Sequence, residues 1–158
     1  MKARGFSLVE LIITLVILGT LSVTVLPKFF GPSVFDSYTT RDQGLSVLRT
    51  MQLRAMQNTG TTCHKIIISP TLMAPPPIDT CTNTADKNNA DYLVVALEVA
   101  RTDVRFVTTD TNSNSFTVIE FDSLGRTNTT PNCSNGCRID MGEADICINN
   151  EGAIYGCQ

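Results

Sequence analysis

The sequence predicts an α+β protein in which a long N-terminal α-helix packs on an antiparallel β-sheet. This prediction rests on an apolar run near the N-terminus, a helical stripe after it, and several short β-branched segments between turn residues in the remainder. The 158 residues are enough for one compact domain and one short extra segment. Hydrophobic residues make up 42% of the chain and charged residues 17%, which argues against intrinsic disorder.

The apolar run covers residues 8–26 and contains a single charged residue, Glu10. As a helix it would be about 28 Å long, which is close to the hydrocarbon thickness of a bilayer. Lys2 and Arg4 precede the run, and the next basic residue is Lys28. By the positive-inside rule, the N-terminus is expected in the cytoplasm and the bulk of the chain on the other side of the membrane.

Two simple explanations of this run leave something unexplained. A secretory signal peptide would need small residues after the apolar core, but residues 25–30 read Val-Leu-Pro-Lys-Phe-Phe. A plain anchor would have no need of Glu10, because a carboxylate costs roughly 2.5–3.5 kcal/mol near the centre of a bilayer and less near its edge. We therefore expect Glu10 to have a function.

The helix is predicted to continue between residues 33 and 58. Its apolar positions follow the spacing of one helix face, at Leu45, Leu48, Met51 or Gln52, Ala55 and Met56. Before this stretch, Gly19, Pro27 and Pro32 are the positions where we expect the helix to kink. Proline removes a backbone hydrogen bond and clashes with the preceding turn, and glycine has a low helix propensity.

The remainder of the chain is predicted to be rich in β-structure. Short β-branched or alternating segments predict strands at residues 65–69, 92–99, 104–108, 115–121, 138–141, 145–148 and 153–156. Residues 74–77 contain three consecutive prolines and are expected to form a loop. Strands joined by short turns favour an antiparallel arrangement, which completes the α+β prediction.

Six cysteines in a chain of this length predict a disulfide framework if the compartment is oxidising. The six can pair in about 15 complete ways, and the sequence does not choose among them. We expect a Cys63–Cys81 bridge, which would close a loop of about 18 residues and stabilise the fold by roughly 3 kcal/mol in the chain-entropy model.

The last four cysteines leave two arrangements open. A hairpin centred on Gly142 favours a cross-strand pair, Cys137–Cys147, which leaves Cys133–Cys157 as the third bridge. The other set, Cys133–Cys137 with Cys147–Cys157, is nearly as good.

No constellation of catalytic or metal-ligating residues emerges from the sequence. His64 is the single histidine, and no spacing of Ser, Cys or Asp makes a catalytic triad arguable. Residues 110–115 resemble the start of a calcium loop but lack the glycine at its sixth position. We therefore expect a protein that is not an enzyme and that has no cofactor and no metal. The formal net charge of −3 also disfavours a general nucleic-acid-binding protein.

The N-terminus resembles the prepilin N-terminus of type IV pilins and type II secretion pseudopilins. Residues 2–12 read Lys-Ala-Arg-Gly-Phe-Ser-Leu-Val-Glu-Leu-Ile, which is a short basic leader, Gly, Phe, a glutamate and the start of an apolar helix. The resemblance implies that a prepilin peptidase cuts after Gly5 and methylates the new amino terminus on Phe6. It also implies that Glu10 pairs with the Phe6 ammonium of a neighbouring subunit and sets the register of assembly. Pro27 matches a proline that is typical of the pilin stem helix.

The C-terminal half is similar to the H-type minor pseudopilins and related minor pilins. The similarity lies in residues 118–125, a strand ending at a glycine turn, and residues 146–152, which carry Ile-Cys-Ile followed by Asn-Asn-Glu-Gly. The short leader and the cysteine-rich C-terminus most resemble the minor pilins, the C-type in particular, of the mannose-sensitive haemagglutinin pilus.

The resemblance implies the pilin fold and four segments. These are a leader at 1–5, a transmembrane and assembly helix at 6–27, the amphipathic half of the stem helix at 28–60, and a disulfide-stapled β-rich domain at 61–158. The implied location is the inner membrane, crossed once, with a periplasmic C-terminal domain that later enters a pilus or pseudopilus.

The function implied is that of a minor pilin or pseudopilin that helps to initiate assembly in or near the tip of a fibre. Its expected partners are other pilin subunits, the prepilin peptidase and an inner-membrane assembly platform. The alternative is a tip adhesin or a DNA-binding minor pilin. Arg126 and Arg138 are the candidate ligand patch for that alternative, although nearby acidic residues dilute their charge and DNA binding needs several phosphate contacts.

Overall fold

The computed structural model describes residues 7–29, 32–58, 60, 63–77, 80–88, 96–99, 104–127 and 131–157, with side chains at all of these except residues 24–29 and 32–34. Two helices come first, α1 (Leu8–Phe29) and α2 (Pro32–Gln57). Eight strands follow in chain order: β1 (Lys65–Ile68), β2 (Leu72–Ala74), β3 (Leu97–Glu98), β4 (Val107–Thr109), β5 (Val118–Glu120), β6 (Cys137–Asp140), β7 (Asp145–Ile148) and β8 (Ile154–Cys157).

The strands form two four-stranded sheets in which every pair is antiparallel. The first sheet has the order β3-β2-β1-β5 and the second has the order β4-β6-β7-β8. Helix α2 contacts strands of both sheets, whereas α1 packs on no other element within the described part of the chain. The predicted α+β architecture is therefore confirmed, with two sheets in place of the single sheet that we expected.

The core lies between α2 and the inner faces of the sheets. One side of α2 contributes the fully buried Leu48 and Met51, and the sheets contribute large apolar side chains at Ile66, Met73, Ile119, Ile139, Ile146 and Ile148. Gly44 lets α2 approach the second sheet closely, because a Cβ atom there would lie 2.9 Å from Cδ1 of Ile146. Of the helix face predicted from the sequence, Leu48, Met51 and Ala55 are buried in the core, whereas Met56 is 49% exposed.

The strand predictions differ from the structure mainly at the first sheet. Strand β2 includes Ala74, and the segment expected to be only a loop begins within it. Within the described residues, the segment expected to be a strand at 92–99 contains β3, and residues 91–95 lie outside the described residues. A two-residue edge strand carries too little alternation to be distinguished from a loop by its sequence pattern.

The kink at Gly19, Pro27 and Pro32 stays a prediction. Helix α1 is continuous through Gly19 and Pro27, and Pro32 is the first residue of α2, a position that suits proline because its missing N–H has no partner there anyway. Residues 30 and 31, between the two helices, lie outside the described residues.

The disulfides are Cys63–Cys81, Cys133–Cys137 and Cys147–Cys157. The first bridge forms as we predicted. The preferred pairing of the other four cysteines is wrong, and the alternative set is the one present.

The register of the β6–β7 hairpin explains this correction. Cys137 is opposite Ile148 and Arg138 is opposite Cys147, so Cys137 and Cys147 are one residue out of register. Because alternate residues of a strand point to opposite faces, this offset puts their side chains on opposite sides of the sheet. The hairpin is centred between Gly142 and Glu143, so the register that we expected was wrong by one residue, which excludes the pair.

The strand register also explains the Cys147–Cys157 bridge. In the β7–β8 pair Cys147 is opposite Tyr155 and Asp145 is opposite Cys157. The two cysteines are therefore diagonal neighbours on one face, and their Cα atoms are 5.8 Å apart.

This pairing predicts which thiol each single substitution releases. In Cys137→Ala, alkylation under denaturing, non-reducing conditions should label Cys133 alone, since its partner is gone and the other two bridges are intact. The matched control Cys63→Ala should label Cys81 alone. Peptide mapping by mass spectrometry reads the labelled site, and label on Cys147 in the first variant would contradict the pairing.

Candidate functional site

The candidate functional site begins at the N-terminus of α1. Ser7 precedes the helix, and its carbonyl oxygen accepts the first helical hydrogen bond, from the N–H of Leu11 at 3.2 Å. Glu10 lies in the first turn of α1. A negative charge is favourable there because the helix dipole is positive at this end. Gly5 and Phe6, the predicted cleavage and methylation positions, lie outside the described residues.

The side chains around Glu10 are almost all apolar and exposed. Eleven large apolar residues between Leu8 and Val23 are more than half exposed, and they surround the helix on every side. The hydroxyl groups of Thr14, Thr20 and Ser22 donate hydrogen bonds to carbonyl oxygens three or four residues earlier in the helix. A helix that is hydrophobic all round is normally covered by other helices or by lipid.

Glu10 is the exception in this environment. Among the residues that the structure describes, none forms a hydrogen bond or an ion pair with its carboxylate. If α1 is covered by apolar material, that carboxylate needs a partner from another molecule, because a buried charge without one is costly.

No helix within the described residues has both the length and the hydropathy needed to cross a membrane.

The two C-terminal segments singled out in the sequence come together in the structure. Gly125 ends the turn after β5 in the first sheet, and Gly152 ends the turn before β8 in the second. Both have a positive φ, +77° and +85°, which favours glycine. A Cβ atom on Gly152 would clash with the carbonyl oxygen of Gly125, so the two turns are in direct contact.

Gln52 of α2 holds these two turns. Its Nε2 atom donates hydrogen bonds to the carbonyl oxygens of Gly125, at 2.6 Å, and Gly152, at 2.5 Å. One side chain therefore ties the stem helix to both sheets at the C-terminal end of α2. We call these three residues the Gln52 clamp. The sequence showed the two glycine turns but not the clamp, because position 52 could equally be read as part of the apolar stripe.

The turn at Gly125 is stabilised by Asp122. Its Oδ1 accepts hydrogen bonds from the N–H groups of Leu124 and Arg126, and its Oδ2 accepts one from Nε of Arg126. Partial burial opposes the charged carboxylate, but these hydrogen bonds outweigh that effect and the pKa of Asp122 is lowered. The carboxylate therefore remains ionised, and Arg126 is engaged within its own turn.

Arg138 is engaged as well. Its Nε donates to Oδ2 of Asp145 at 2.6 Å, across the β6–β7 pair. Asp145 is 4% exposed, and its Oδ1 has no hydrogen-bond partner in the described part of the chain. Arg126 and Arg138 are each paired with their own acid, Asp122 and Asp145. The ligand patch stays a prediction.

The hydrogen bonds and neighbours of Asp110 and His64, the remaining candidate residues, lie within the fold itself. Asp110 accepts hydrogen bonds from the N–H groups of Asn112 and Asn114 and so closes a solvated turn. Burial lowers the pKa of His64, Arg54 adds to this effect, and Glu120 partly opposes it. Within the described residues there is no group of three or more His, Cys, Asp or Glu side chains placed to hold a metal ion.

The family model for the prokaryotic N-terminal methylation motif matches residues 1–26 of the chain. Neither the comparison with curated proteins nor that with solved structures gave a significant match. The motif supports the type IV pilin and pseudopilin class. In that class it implies processing by a prepilin peptidase and assembly with other pilin subunits, and it points to a structural protein that is not an enzyme. The H-type and C-type assignments stay predictions.

The Gln52 clamp makes a prediction about stability. Gln52→Glu is nearly isosteric, but it replaces the donor by a carboxylate oxygen facing two carbonyl oxygens. The free energy of unfolding at pH 7 should fall by about 1–3 kcal/mol, as expected when hydrogen-bonding groups lose their partner. Urea unfolding of the detergent-solubilised chain, followed by circular dichroism, measures this.

Gln57→Glu is the matched control, because Gln57 is exposed at the end of the same helix. It should change the unfolding free energy little. Acidification should restore part of the loss in Gln52→Glu, since the protonated carboxyl can donate one hydrogen bond. Equal unfolding free energies for Gln52→Glu and Gln57→Glu would contradict the proposed role of the clamp.

Proposed function

We propose that the chain is a minor pilin or pseudopilin with a structural role in initiating a type IV pilus or type II secretion pseudopilus. In this proposal the leader, residues 1–5, is removed after Gly5 and the new amino terminus on Phe6 is methylated. The mature chain is held in the inner membrane by residues 6–27, with its globular domain in the periplasm. It is then incorporated in or near the tip of a fibre.

The observation that carries this proposal is that the methylation motif coincides with α1, a helix whose apolar side chains are exposed. The motif match covers residues 1–26, which include every exposed large apolar residue that the structure describes on α1. Such a surface needs neighbours, and a bundle of identical or related helices supplies them. The periplasm also suits the three disulfide bridges of the globular domain.

Glu10 has a defined role in this proposal. Loss of the leader deletes Lys2 and Arg4 and creates an ammonium group on Phe6. When subunits stack, the ammonium of one subunit can lie against Glu10 of the next. In a water-excluded helix bundle the two charges need each other, so the pair selects the register in which both are satisfied.

Cleavage after Gly5 is the first test. Gly5→Val adds a branched side chain at the scissile bond, where the protease must approach the backbone closely, so it should leave a precursor about five residues longer. Mass spectrometry of the membrane fraction measures the N-terminus. Gly19→Ala is the control, since an added Cβ meets no atom within 4 Å there, and it should be cleaved normally. A mature wild-type chain that starts at any residue other than Phe6 would contradict the proposal.

Glu10→Ala is the second test, and it should impair assembly without impairing insertion. The substitution removes a charge from the apolar helix, but it leaves the Phe6 ammonium of a neighbour unpaired. Removing one member of a buried ion pair costs on the order of 3–5 kcal/mol, enough to reduce incorporation on the order of a hundredfold or more. The variant should be cleaved and found in the membrane, yet missing from sheared fibres.

Thr14→Ala is the matched control on the same helix, because the Thr14 hydroxyl is satisfied by the carbonyl oxygen of Leu11. It should assemble at the wild-type level. If Glu10→Ala and Glu10→Gln also assemble at that level, the carboxylate does not set the register.

A further inference from the structure

The turn that leads into β6 contains the sole Asn-Gly pair of the sequence, Asn135–Gly136. Asn135 is exposed, and its side-chain amide makes no hydrogen bond with the described residues. Gly136 is half-buried, with a φ of +104°. A glycine has no side chain to shield its backbone nitrogen, so an asparagine that precedes a glycine is prone to spontaneous deamidation.

Deamidation at such a pair proceeds through a cyclic succinimide. The backbone nitrogen of Gly136 would attack Cγ of Asn135 and form a new N–Cγ bond. The bond between Cγ and Nδ2 would break, and the leaving nitrogen would take up the amide proton and depart as ammonia. Water would then open the ring at either carbonyl and leave aspartate or isoaspartate. The residue therefore gains water, loses ammonia and becomes heavier by about 1 Da.

The hydrogen bonds of the turn hold the attacking nitrogen in place. The N–H of Gly136 donates to the carbonyl oxygen of Cys133 at 2.9 Å, and this bond must break before the nitrogen can attack. Thr111 fastens the same peptide from the other side. Its Oγ1 accepts a hydrogen bond from the N–H of Asn135 at 3.0 Å and donates one to the carbonyl oxygen of Gly136 at 3.3 Å. Attack therefore requires a local opening of the turn.

The Cys133–Cys137 bridge spans this turn. Cys133 carries the carbonyl oxygen that accepts the hydrogen bond of Gly136, and Cys137 is the first residue of β6, opposite Ile148 of β7. Both cysteines are buried, at 3% and 1% exposed. The bridge therefore ties the acceptor to a strand that the sheet holds in place. A crosslink of this kind removes open conformations of the segment that it encloses.

We propose that Asn135 is a deamidation site and that the Cys133–Cys137 bridge protects it. The chain is open to the reaction before this bridge has formed and closed to it afterwards. Isoaspartate would lengthen the backbone by one carbon atom just before Cys137 and would add a negative charge. The bridge therefore guards the entry of the chain into β6, whose register positions the second sheet. The proposal does not depend on the function proposed above.

The rate of deamidation can be measured in the full chain, solubilised in detergent and incubated at neutral pH. Peptide mapping by mass spectrometry follows the gain of about 1 Da at position 135 over time. The double variant Cys133→Ala/Cys137→Ala should deamidate there about fivefold faster than the wild type or more, because the turn opens more often. Equal rates in these two proteins would overturn the proposal.

Cys63→Ala/Cys81→Ala is the matched control for a general loss of stability. It removes a bridge that closes a longer loop, with a sequence separation of 18 instead of 4, so the chain-entropy model gives it the larger loss. The turn at Asn135 stays bridged in this variant, and its deamidation rate should stay at the wild-type value. A rate as fast as that of Cys133→Ala/Cys137→Ala would mean that global unfolding exposes Asn135, which would overturn the proposal.

Thr111→Val keeps the test decisive if Cys133→Ala/Cys137→Ala fails to fold, because it loosens the turn and leaves every cysteine in place. It removes both hydrogen bonds of the Thr111 hydroxyl with the Asn135–Gly136 peptide. Deamidation should become about twofold faster or more, since opening the turn then breaks fewer bonds. A wild-type rate in Thr111→Val would contradict the requirement for opening and overturn the proposal.

Discussion

The packing of both sheets on one face of α2 is the constraint on which the globular domain depends. The strands have two to four residues each, and sheets of such short strands are marginal without a packing partner. Leu48 and Met51 supply that partner, and Gly44 allows the close approach that buries Ile146. Gln52 then joins the two sheets at the end of the helix through the carbonyl oxygens of the two glycine turns. Because one helix carries both sheets, a change on its inner face affects the whole domain.

The parts that could be predicted from the sequence are those with a periodic or local signal. The buried face of α2, the strands β1, β6, β7 and β8 and the glycine turns all follow from spacing or from turn chemistry. The division into two sheets has no such signal, because pairing between distant strands depends on the global packing. The prediction of how the last four cysteines pair was wrong for a related reason. A hairpin register that differs by one residue reverses the face of every side chain, and the sequence of the turn did not fix that residue.

The candidate site was predictable to a similar extent. Glu10 is conspicuous because a charge interrupts an apolar run, and the motif match includes it. From the sequence, Arg126 and Arg138 were candidates for binding a ligand, because a sequence does not show how close a cation lies to a carboxylate. In the structure Asp122 and Asp145 engage them, so their charges serve a turn and a strand pair.

In the proposed fibre, Glu10 is the charge for which a partner matters most. A charge buried among apolar helices costs several kcal/mol when its partner is missing, so Glu10 can decide whether a subunit is retained. An ion pair on the surface of the globular domain, such as Arg41–Asp42 on α2, contributes only about 0.2–1 kcal/mol and is screened by salt. Contacts of that kind are too weak to drive association, so retention of a subunit depends on the apolar layer around α1.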